Sequence, residues 1–559
     1  GEVKIHPIDE SHPFLVRDQS KCILCGRCVR MCLEVVGASA LGFVYRGFGT
    51  IVAPSLGKPF PESSCVSCGA CIETCPVGAL TERPRHLKPA PWDMPQTNSI
   101  CTFCGVGCGT EIHTKDNQAV KLTGNQENPT SQGSLCFKGK FGFELIHSQA
   151  RLTSPMVKQG KSHVPVEWKK AFNLINGDID AMVKKHGPDS VAILASGRTS
   201  LEEAEGLRSW AAKKGVTKFS SLVYSEGRAL DQLEKILGGL NGKSYADLEK
   251  AQAILLIGSD PYSQHPVFGQ ILRQAAKKGV PVYILAEKAG QLAEIAAGQF
   301  TVKAGGISSA LNGALKALTV SSNLAGFTEY KKGLAKITGA AALKESGLKK
   351  AELEQLSQVL SKNKNILITF NAEAIDGETA KAIGNFLLLN ETPENFIALR
   401  AKANLNGVDR FVTVPAAEIV KQMEKGIIKT AVLWNEDPID SLPGGKKLGQ
   451  ALSKLEKLVA ADMFLTETGK TADFVLPTCA FAEQDGSFIN SEGRLQHFKQ
   501  AIQPVCGMTS KQILSELGGT ALPGMPAEKK GAKQFLAPEL KKAKPAQEAK
   551  LARGRILLL

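Results

Sequence analysis

Long apolar runs are missing from this sequence of 559 residues, in which no stretch approaches the roughly 18 consecutive apolar residues of a membrane span. The first residues, GEVKIHPIDE, have no basic segment followed by an apolar one, so a secretory leader is not indicated. They also lack an initiator Met, which is typical of a processed or truncated start. These absences predict a cytoplasmic chain without its own membrane span; peripheral attachment to the inner face of a membrane through partners is the alternative.

Aromatic residues are scarce, with four Trp and six Tyr, and none is interleaved with a basic stretch as single-strand binding requires. The formal net charge is +14, but nine Lys/Arg and three Glu between residues 528 and 555 supply +6 of it. The rest is spread over more than five hundred residues, so we expect no nucleic-acid partner. Hydrophobic residues at 43% and charged residues at 22% lie near globular averages, which excludes disorder for most of the chain.

Cysteine is nearly absent after residue 136, where only Cys479 and Cys506 occur, whereas twelve cysteines precede residue 137. A disulfide-stapled domain would be small and secreted, so this clustering favours metal ligation. The two later cysteines are expected to be small buried apolar side chains.

Two early cysteine runs share the spacing C-x2-C-x2-C-x3-C of bacterial ferredoxins. In such runs three thiolates hold one cubane, and the fourth cysteine ligates the other cluster. The spacing therefore predicts one cluster on Cys22, Cys25, Cys28 and Cys75, and a second on Cys65, Cys68, Cys71 and Cys32. Structural zinc is the alternative, but zinc commonly uses two separated C-x2-C knuckles and fits two matching runs poorly.

A third set has the spacing C-x2-C-x3-C and a fourth cysteine after 27 intervening residues: Cys101, Cys104, Cys108 and Cys136. Because this spacing differs from the ferredoxin runs, we expect one self-contained site. The glycines at 105, 107 and 109 favour a bulky cluster, since backbone without side chains can wrap it. Zinc is a more serious alternative here. With iron at all three sites, the chain would hold three [4Fe–4S] clusters.

These motifs resemble those of the molybdopterin oxidoreductase superfamily. The ferredoxin runs, the third set and the string C-x-K-G are similar to the large subunit of NAD-dependent formate dehydrogenases. They are also similar to the large iron–sulfur subunit of NADH:quinone oxidoreductase. Segments 257–279 and 472–496 resemble the middle and late signatures of the superfamily. The resemblance implies that Lys138 lies between the third cluster and a pterin, where it serves in electron passage.

From about residue 150 the sequence alternates short apolar runs with helical patterns. Strands are predicted at 190–196, 253–259, 280–286, 365–370 and 431–434, and helices at 201–214, 265–278 and 378–389. This alternation predicts a doubly wound α/β fold with parallel sheets. The expected domains are a two-cluster ferredoxin-like domain (1–97), a small [4Fe–4S] domain (98–150), a molybdopterin-oxidoreductase-like α/β body (151–522) and a basic tail (523–559).

An active formate dehydrogenase of this family holds Mo or W on two pterin guanine dinucleotides, with a protein Cys or selenocysteine on the metal. The resemblance places that ligand within 219–233, which contains no Cys and offers only Ser220, Ser221 and Ser225. The strand at 280–286 runs into Glu287-Lys288 in place of the family's Asp-Pro-Arg turn. Only 63 residues follow Gln496, too few for the family's cofactor-closing domain. We therefore expect a scaffold without the Mo/W cofactor, in which Lys138 hydrogen-bonds near the third cluster; with a pterin it would be a relay.

The prediction is an iron–sulfur electron-transfer subunit of a cytoplasmic multi-subunit NAD(P)H-linked oxidoreductase, with no catalytic residue of its own. Because no G-x-G-x-x-G follows a predicted strand, the flavin and NAD(P)H site is expected on a partner, beside other iron–sulfur subunits. The main alternative is the catalytic α subunit of a Mo/W formate dehydrogenase, or CO2 reductase. A scaffold with inert clusters is a further alternative. An [FeFe]-hydrogenase large subunit would need more cysteines downstream.

Overall fold

The computed structural model describes residues 6–83, 91–221, 229–258, 260–318, 321–441, 445–519, 533–534, 536 and 538. In the N-terminal region each ferredoxin run is a loop that leads into a short helix. The first strand pairs antiparallel with the fourth, and the second and third form an antiparallel pair. The elements are β1 (Leu15–Arg17), α1 (Arg27–Arg30), β2 (Gly42–Val44), β3 (Ile51–Ala53), α2 (Ala70–Thr74) and β4 (Leu80–Glu82).

The next segment forms a three-stranded antiparallel sheet in the order β5-β6-β7 and one short helix that begins directly after Cys136. The third cysteine set lies at the junction of β5 and β6 and at the start of that helix. The elements are β5 (Gln96–Ile100), β6 (Gly109–Lys115), β7 (Gln118–Gly124) and α3 (Phe137–Phe141).

The body contains two largely parallel sheets and one hairpin. Its strands are β8 (Met156–Gln159), β9 (Ser162–Pro165), β10 (Val191–Ala195), β11 (Lys218–Ser221), β12 (Ala253–Gly258), β13 (Val282–Ala286), β14 (Gly298–Thr301), β15 (Ile366–Asn371), β16 (Phe396–Leu399), β17 (Thr430–Trp434), β18 (Lys457–Asp462), β19 (Phe474–Pro477), β20 (Gly486–Ile489) and β21 (Leu495–Phe498).

Helices connect these strands and cover both faces of the sheets. They are α4 (Trp168–His186), α5 (Leu201–Lys213), α6 (Ala229–Leu237), α7 (Pro261–Gln264), α8 (Pro266–Lys277), α9 (Ile307–Leu315), α10 (Phe327–Lys336), α11 (Gly339–Ser346), α12 (Lys350–Lys362), α13 (Gly377–Leu389), α14 (Leu405–Val408), α15 (Ala416–Glu424), α16 (Pro438–Ser441), α17 (Gly445–Leu452), α18 (Glu467–Thr471) and α19 (Ser510–Glu516). None of the helices within the described ranges is long and apolar enough to cross a bilayer.

Both sheets are doubly wound, as the sequence predicts. The seven-stranded sheet has the order β11-β10-β17-β18-β19-β8-β9, and the five-stranded sheet has the order β14-β13-β12-β15-β16. All five predicted strands are present, as β10, β12, β13, β15 and β17, and the three predicted helices are α5, α8 and α13. The strand order reverses between β10 and β17 in the first sheet and between β12 and β15 in the second. Such reversal points are where ligands bind in open α/β sheets.

The core is built by strands that are buried on both faces. Every residue of β10, β15 and β17 is buried, as expected for parallel strands covered by helices on both sides. Local sequence also fixes where helices begin. Ser200 and Glu203 form a capping box at the start of α5, with hydrogen bonds of 3.2 and 2.8 Å that satisfy otherwise unpaired N–H groups.

The loops at the carboxyl ends of the two sheets meet. The loop after β16 packs on the loop after β10, where the Asn404 N–H donates to the carbonyl of Gly197 at 2.7 Å. A Cβ added at Gly197 would lie 2.4 Å from the Leu405 side chain, so the contact requires glycine there. The fold therefore brings both strand-order reversals toward one region between the sheets.

Candidate iron–sulfur centres

Two cavities in the N-terminal region each contain four cysteines, three from one ferredoxin run and one from the other. One cavity is lined by Cys22, Cys25, Cys28 and Cys75. The other is lined by Cys65, Cys68, Cys71 and Cys32. The structure thus brings together the same groups of four that the crossed arrangement requires.

Glycines at the ends of both loops allow these cavities to form. Gly26 and Gly69 precede α1 and α2 with φ of 71° and 74°, the left-handed conformation that side chains disfavour. The loops then direct backbone N–H groups at sulfur: Leu24 donates to Cys22 Sγ and Ser67 to Cys65 Sγ, both at 3.4 Å. Such N–H donors help set the reduction potential of an iron–sulfur cluster.

Burial raises the pKa of four thiols in these cavities, to about 11 at Cys28 and about 12 at Cys68, and also at Cys65 and Cys71. Cys75 differs: burial raises its pKa, but the N–H groups of the four residues Val77–Leu80 outweigh burial and lower it. Because ligation requires thiolates, a metal must compensate the cost of deprotonating the buried thiols.

The four cysteines of the third set are all buried. Their loop is tied to the β20–β21 hairpin: Asn490 Nδ2 donates to the Val106 carbonyl at 3.1 Å, and Gln496 Nε2 donates to the Gly107 carbonyl at 2.9 Å. Gly107 has a φ of 76°, and a Cβ there would lie 2.2 Å from Gln496 Oε1. The segment 472–496, which resembles the late signature of the superfamily, therefore includes residues that support this loop.

All three groups fit a [4Fe–4S] cubane by their donor chemistry. Each offers four thiols, and apolar side chains such as Val36, Leu41 and Phe60 line the second cavity. In the part of the chain that the structure describes, no group of three or more His, Cys, Asp or Glu side chains is arranged around a single metal ion. A cubane takes its four thiolates on four different iron atoms, so its ligands need not converge on one point.

Helix α3 joins the second cavity to the third cysteine set. Cys136 precedes its first turn, and Phe141 in its last turn lines the second cavity. Phe141 also stacks on Phe14 with ring centroids 4.8 Å apart, which fixes α3 against the ferredoxin-like region. One five-residue helix therefore touches both groups of cysteines.

Two lysines on α3 occupy different environments. Lys138 is half-buried near the third set, where its charge counteracts the effect of burial on the pKa values of Cys101 and Cys104. Lys140 is 1% exposed and forms ion pairs with Glu73 and Glu82. The resemblance singled out Lys138 and gave no role to Lys140, because the carboxylates that pair with Lys140 belong to distant segments.

The reversal points of both sheets hold polar side chains that pair with one another. At the first, Lys402 forms an ion pair with Glu436. Burial raises the pKa of Glu436, but Lys402 and Arg198 outweigh burial and lower it, so its carboxylate stays ionised. At the second, Asn371 donates to Gln264.

Arg400, directly after β16, joins the same region. Its guanidinium pairs with Glu373 and Asp409, each at 2.8 Å. Two of the three serines considered as metal ligands, Ser220 and Ser221, are buried in β11. Ser221 Oγ donates a hydrogen bond to Asp409. Ser225 lies outside the described residues.

Cys479 and Cys506 are buried, as predicted, and the fold brings them together. The two thiols share one hydrogen-bond acceptor, the carbonyl oxygen of Met508, and each lies 3.2 Å from it. Their separation of 27 positions in sequence gives no signal of this arrangement.

Family models match three consecutive segments of the chain. The NADH-quinone oxidoreductase subunit 3 ferredoxin-like domain matches residues 12–81, and the molybdopterin oxidoreductase Fe4S4 domain matches residues 94–148. Molybdopterin oxidoreductase matches residues 151–518. The chain belongs to the molybdopterin oxidoreductase family. Its N-terminal segments are thus of iron–sulfur type, as predicted.

Similar proteins in this family are longer than the chain. It is 27% identical to "NADPH-Fe(3+) oxidoreductase subunit alpha" of Geobacter sulfurreducens, over 88% of the chain and 63% of that protein. It is 27% identical to "Putative formate dehydrogenase SAUSA300_2258" of Staphylococcus aureus, over 90% of the chain and 61% of that protein. The chain thus spans about three fifths of the length of these relatives.

A solved structure shares the fold. Acetylene hydratase from Pelobacter acetylenicus superposes with a TM-score of 0.66 at 16% sequence identity, covering 76% of the chain and 68% of that structure. This likeness confirms the predicted α/β architecture of the family.

Proposed function

We propose that the chain is an iron–sulfur electron-transfer subunit of a cytoplasmic multi-subunit NAD(P)H-linked oxidoreductase. It would carry three [4Fe–4S] clusters, which supply one-electron chemistry when bound. The ligands would be the two crossed groups, Cys22, Cys25, Cys28 with Cys75 and Cys65, Cys68, Cys71 with Cys32, and the third set, Cys101, Cys104, Cys108 and Cys136. Partner subunits would hold the flavin, the NAD(P)H site and further iron–sulfur centres.

The observation that carries this proposal is helix α3. Because Cys136 lies at its start and Phe141 lines the second cavity, the second and third clusters would be neighbours. The first and second clusters would share the α1–α2 region through their exchanged fourth cysteines. Electrons could therefore pass from the first cluster, near the surface, to the third, which is fully enclosed. Lys138 would donate hydrogen bonds beside the third cluster.

We also propose that the body no longer uses a Mo or W pterin cofactor. Support comes from the reversal points, where Lys402, Arg400 and Asn371 are already paired with side chains of the same chain. Ser221 is likewise engaged with Asp409. Chain length carries no weight here, because the sequence spans only part of its relatives.

The test is anaerobic purification from cells supplied with iron, molybdate and tungstate, followed by metal analysis and a reductive titration. We expect about twelve iron and about three electrons accepted per chain, since each cubane cycles by one electron. Electron paramagnetic resonance should resolve three reduced clusters. Four or eight iron per chain, stoichiometric zinc, or clusters that cannot be reduced would contradict the proposal.

The second candidate is the catalytic α subunit of a Mo/W formate dehydrogenase, which the name of the Staphylococcus aureus relative favours. The same preparation separates the two candidates. Stoichiometric Mo or W with pterin, together with formate oxidation by an artificial acceptor, would support the enzyme and overturn the proposed scaffold. Formate oxidation lost on substitution of Ser221 would assign the metal site.

A further inference from the structure

Lys140 is one of the most deeply buried charged side chains described in this protein. Its side chain is 1% exposed, and its ammonium donates to Glu73 Oε1 at 2.8 Å and to the Leu122 carbonyl at 2.6 Å. Glu82 Oε1 lies 2.7 Å from the same nitrogen. Two carboxylates and one cation thus meet where three segments of the chain join.

These three residues come from the parts of the molecule that would hold two different clusters. Glu73 lies in α2 between Cys71 and Cys75, and Glu82 lies in β4 of the ferredoxin-like region. Lys140 lies in α3, four residues after Cys136, whose carbonyl accepts from the Lys140 N–H at 3.0 Å. The ion pairs therefore cross from the second cluster region to the third.

The aliphatic part of Lys140 packs on the second cysteine loop. A Cβ added at Gly69, between Cys68 and Cys71, would lie 2.9 Å from Lys140 Cγ. Gly69 must therefore be glycine both for its φ of 74° and for this contact. The lysine stem thus lies directly against the loop that carries two ligands of the second group.

We propose that Lys140 is a positioning residue for electron transfer between the second and third clusters, and that with Glu73 and Glu82 it sets the reduction potential of the second. This inference rests on the proposed function, because it requires both clusters. Local charge and burial are among the factors that set such potentials, and buried charges are poorly screened by salt. With both clusters bound, the step would move one electron from the reduced second cluster to the oxidised third.

Removing the positive charge of Lys140 and removing a negative charge from Glu73 should shift the reduction potential of the second cluster in opposite directions. Replacing Lys140 by Met keeps the length of the apolar stem but leaves two carboxylates near the second cluster. Their field disfavours an added electron, so the potential of that cluster should become more negative. Glu73→Gln removes a negative charge and leaves the lysine, so the same potential should become more positive.

The experiment uses the whole anaerobically purified chain and a redox titration followed by electron paramagnetic resonance. We expect the second cluster to shift negative in Lys140→Met, shift positive in Glu73→Gln, and return close to wild type in Lys140→Arg. Lys218→Met is the matched control, since Lys218 is also buried and hydrogen-bonded, to the Asp189 carbonyl at 2.6 Å, but in β11. The control should move no cluster potential.

Unchanged potentials in both Lys140→Met and Glu73→Gln would overturn the inference, as would equal shifts of all three clusters. If Lys140→Met does not retain its second cluster, Glu73→Gln alone tests the inference. A positive shift of the second cluster's potential then supports it, and a negative shift or none overturns it. Failure of the proposed function looks different, because wild-type protein itself would then lack three reducible clusters.

Discussion

At the scale of single residues, Cys32 and Cys75 show how sequence neighbours can belong to different centres. Each is the fourth cysteine of its own run, four positions after the third, yet each lines the cavity that holds the first three cysteines of the other run. Cys75→Ser should therefore damage the cluster on Cys22, Cys25 and Cys28 and leave the second one intact. Electron paramagnetic resonance of the reduced protein is the measurement, with Cys479→Ser as the control. Loss of the second cluster's signal instead would show that the pairing is wrong.

His113 carries a pH dependence of stability. Burial and the cations Lys121 and Lys140 lower its pKa from 6.5 to about 4, partly opposed by Glu82. The unfolded chain takes up a proton at this residue near pH 6.5 while the folded chain stays neutral. The contribution of His113 to the free energy of unfolding is therefore fully present above pH 6.5 and is lost as the pH falls toward 4.

The change that tests this pH dependence is His113→Gln, which can keep the 2.7 Å contact to Thr123 Oγ1. The variant should lose less stability than wild type between pH 7.5 and 5.5, measured as urea unfolding midpoints. His163→Gln in β9 is the control substitution and should follow wild type. Parallel pH profiles for His113→Gln and wild type would refute the assignment.

Whether a contact between two residues could be predicted from the sequence depends on how far apart they lie along the chain. The two groups of cysteines that line the first two cavities are those that the spacing of the ferredoxin runs predicts, so sequence alone could group them. Lys140 could not be found that way, because Glu73 is 67 positions away and no local pattern joins them. The same holds for Arg400 and Lys402, whose pairing depends on how two sheets face each other.

At the scale of elements, the β20–β21 hairpin supports the third cysteine loop through Asn490 and Gln496. Gly107→Ala should displace this contact, since its Cβ would lie 2.2 Å from Gln496 Oε1. The left-handed backbone adds about 1–2 kcal/mol of strain. We expect loss of the third cluster, so that iron falls by about four atoms per chain while the first two clusters remain.

Gly160→Ala is the matched control for that substitution. Gly160 has a φ of 63°, comparable to that of Gly107, but nothing lies within 4 Å of an added Cβ. It should cost backbone strain alone and keep the full iron content. Equal iron in both variants would show that the hairpin contact does not hold the third cluster.

The ends of strands with continuous apolar runs could be predicted to within about two residues, because a strand that is buried on both faces needs such a run. The strand predicted at 253–259 is Ala253–Gly258, and that predicted at 431–434 is Thr430–Trp434. The edge strands β9 and β11, with sequences SHVP and KFSS, have no such run and escaped prediction. Their position is set by pairing with neighbours and not by their own composition.

At the scale of the whole molecule, the ferredoxin-like region and the body differ in how they are stabilised. The small apolar core of the first consists of Leu15, Cys28, Leu41, Val52, Phe60 and Leu80, with further cysteines packed against it. The body has extended cores on both faces of its sheets. We therefore expect bound clusters to contribute to the stability of the ferredoxin-like region, as metals do in many small domains.

Removal of iron should therefore unfold the ferredoxin-like region selectively. After chelation under anaerobic conditions, we expect proteolytic cleavage within residues 6–83 to accelerate at least tenfold, while fragments of the parallel sheets persist. Mass spectrometry of timed digests gives the cleavage sites. Simultaneous degradation of body and N-terminal region would mean that the clusters stabilise the molecule as one unit.

The three groups of cysteines differ in their most exposed member: Cys25 of the first group is exposed although Cys28 is buried, the second group is partly covered throughout, and all four cysteines of the third set are buried. Dioxygen dissolved in the solvent would therefore meet the centres in that order. On brief aeration the electron paramagnetic resonance signals of the clusters should decay in three kinetic phases. The signal of the first cluster should be lost first and that of the third cluster last. On the proposed electron path, an aerated sample would keep reducible inner clusters after the first cluster has been lost. Slow reduction by the proposed partner would then report oxidative damage before iron loss is complete.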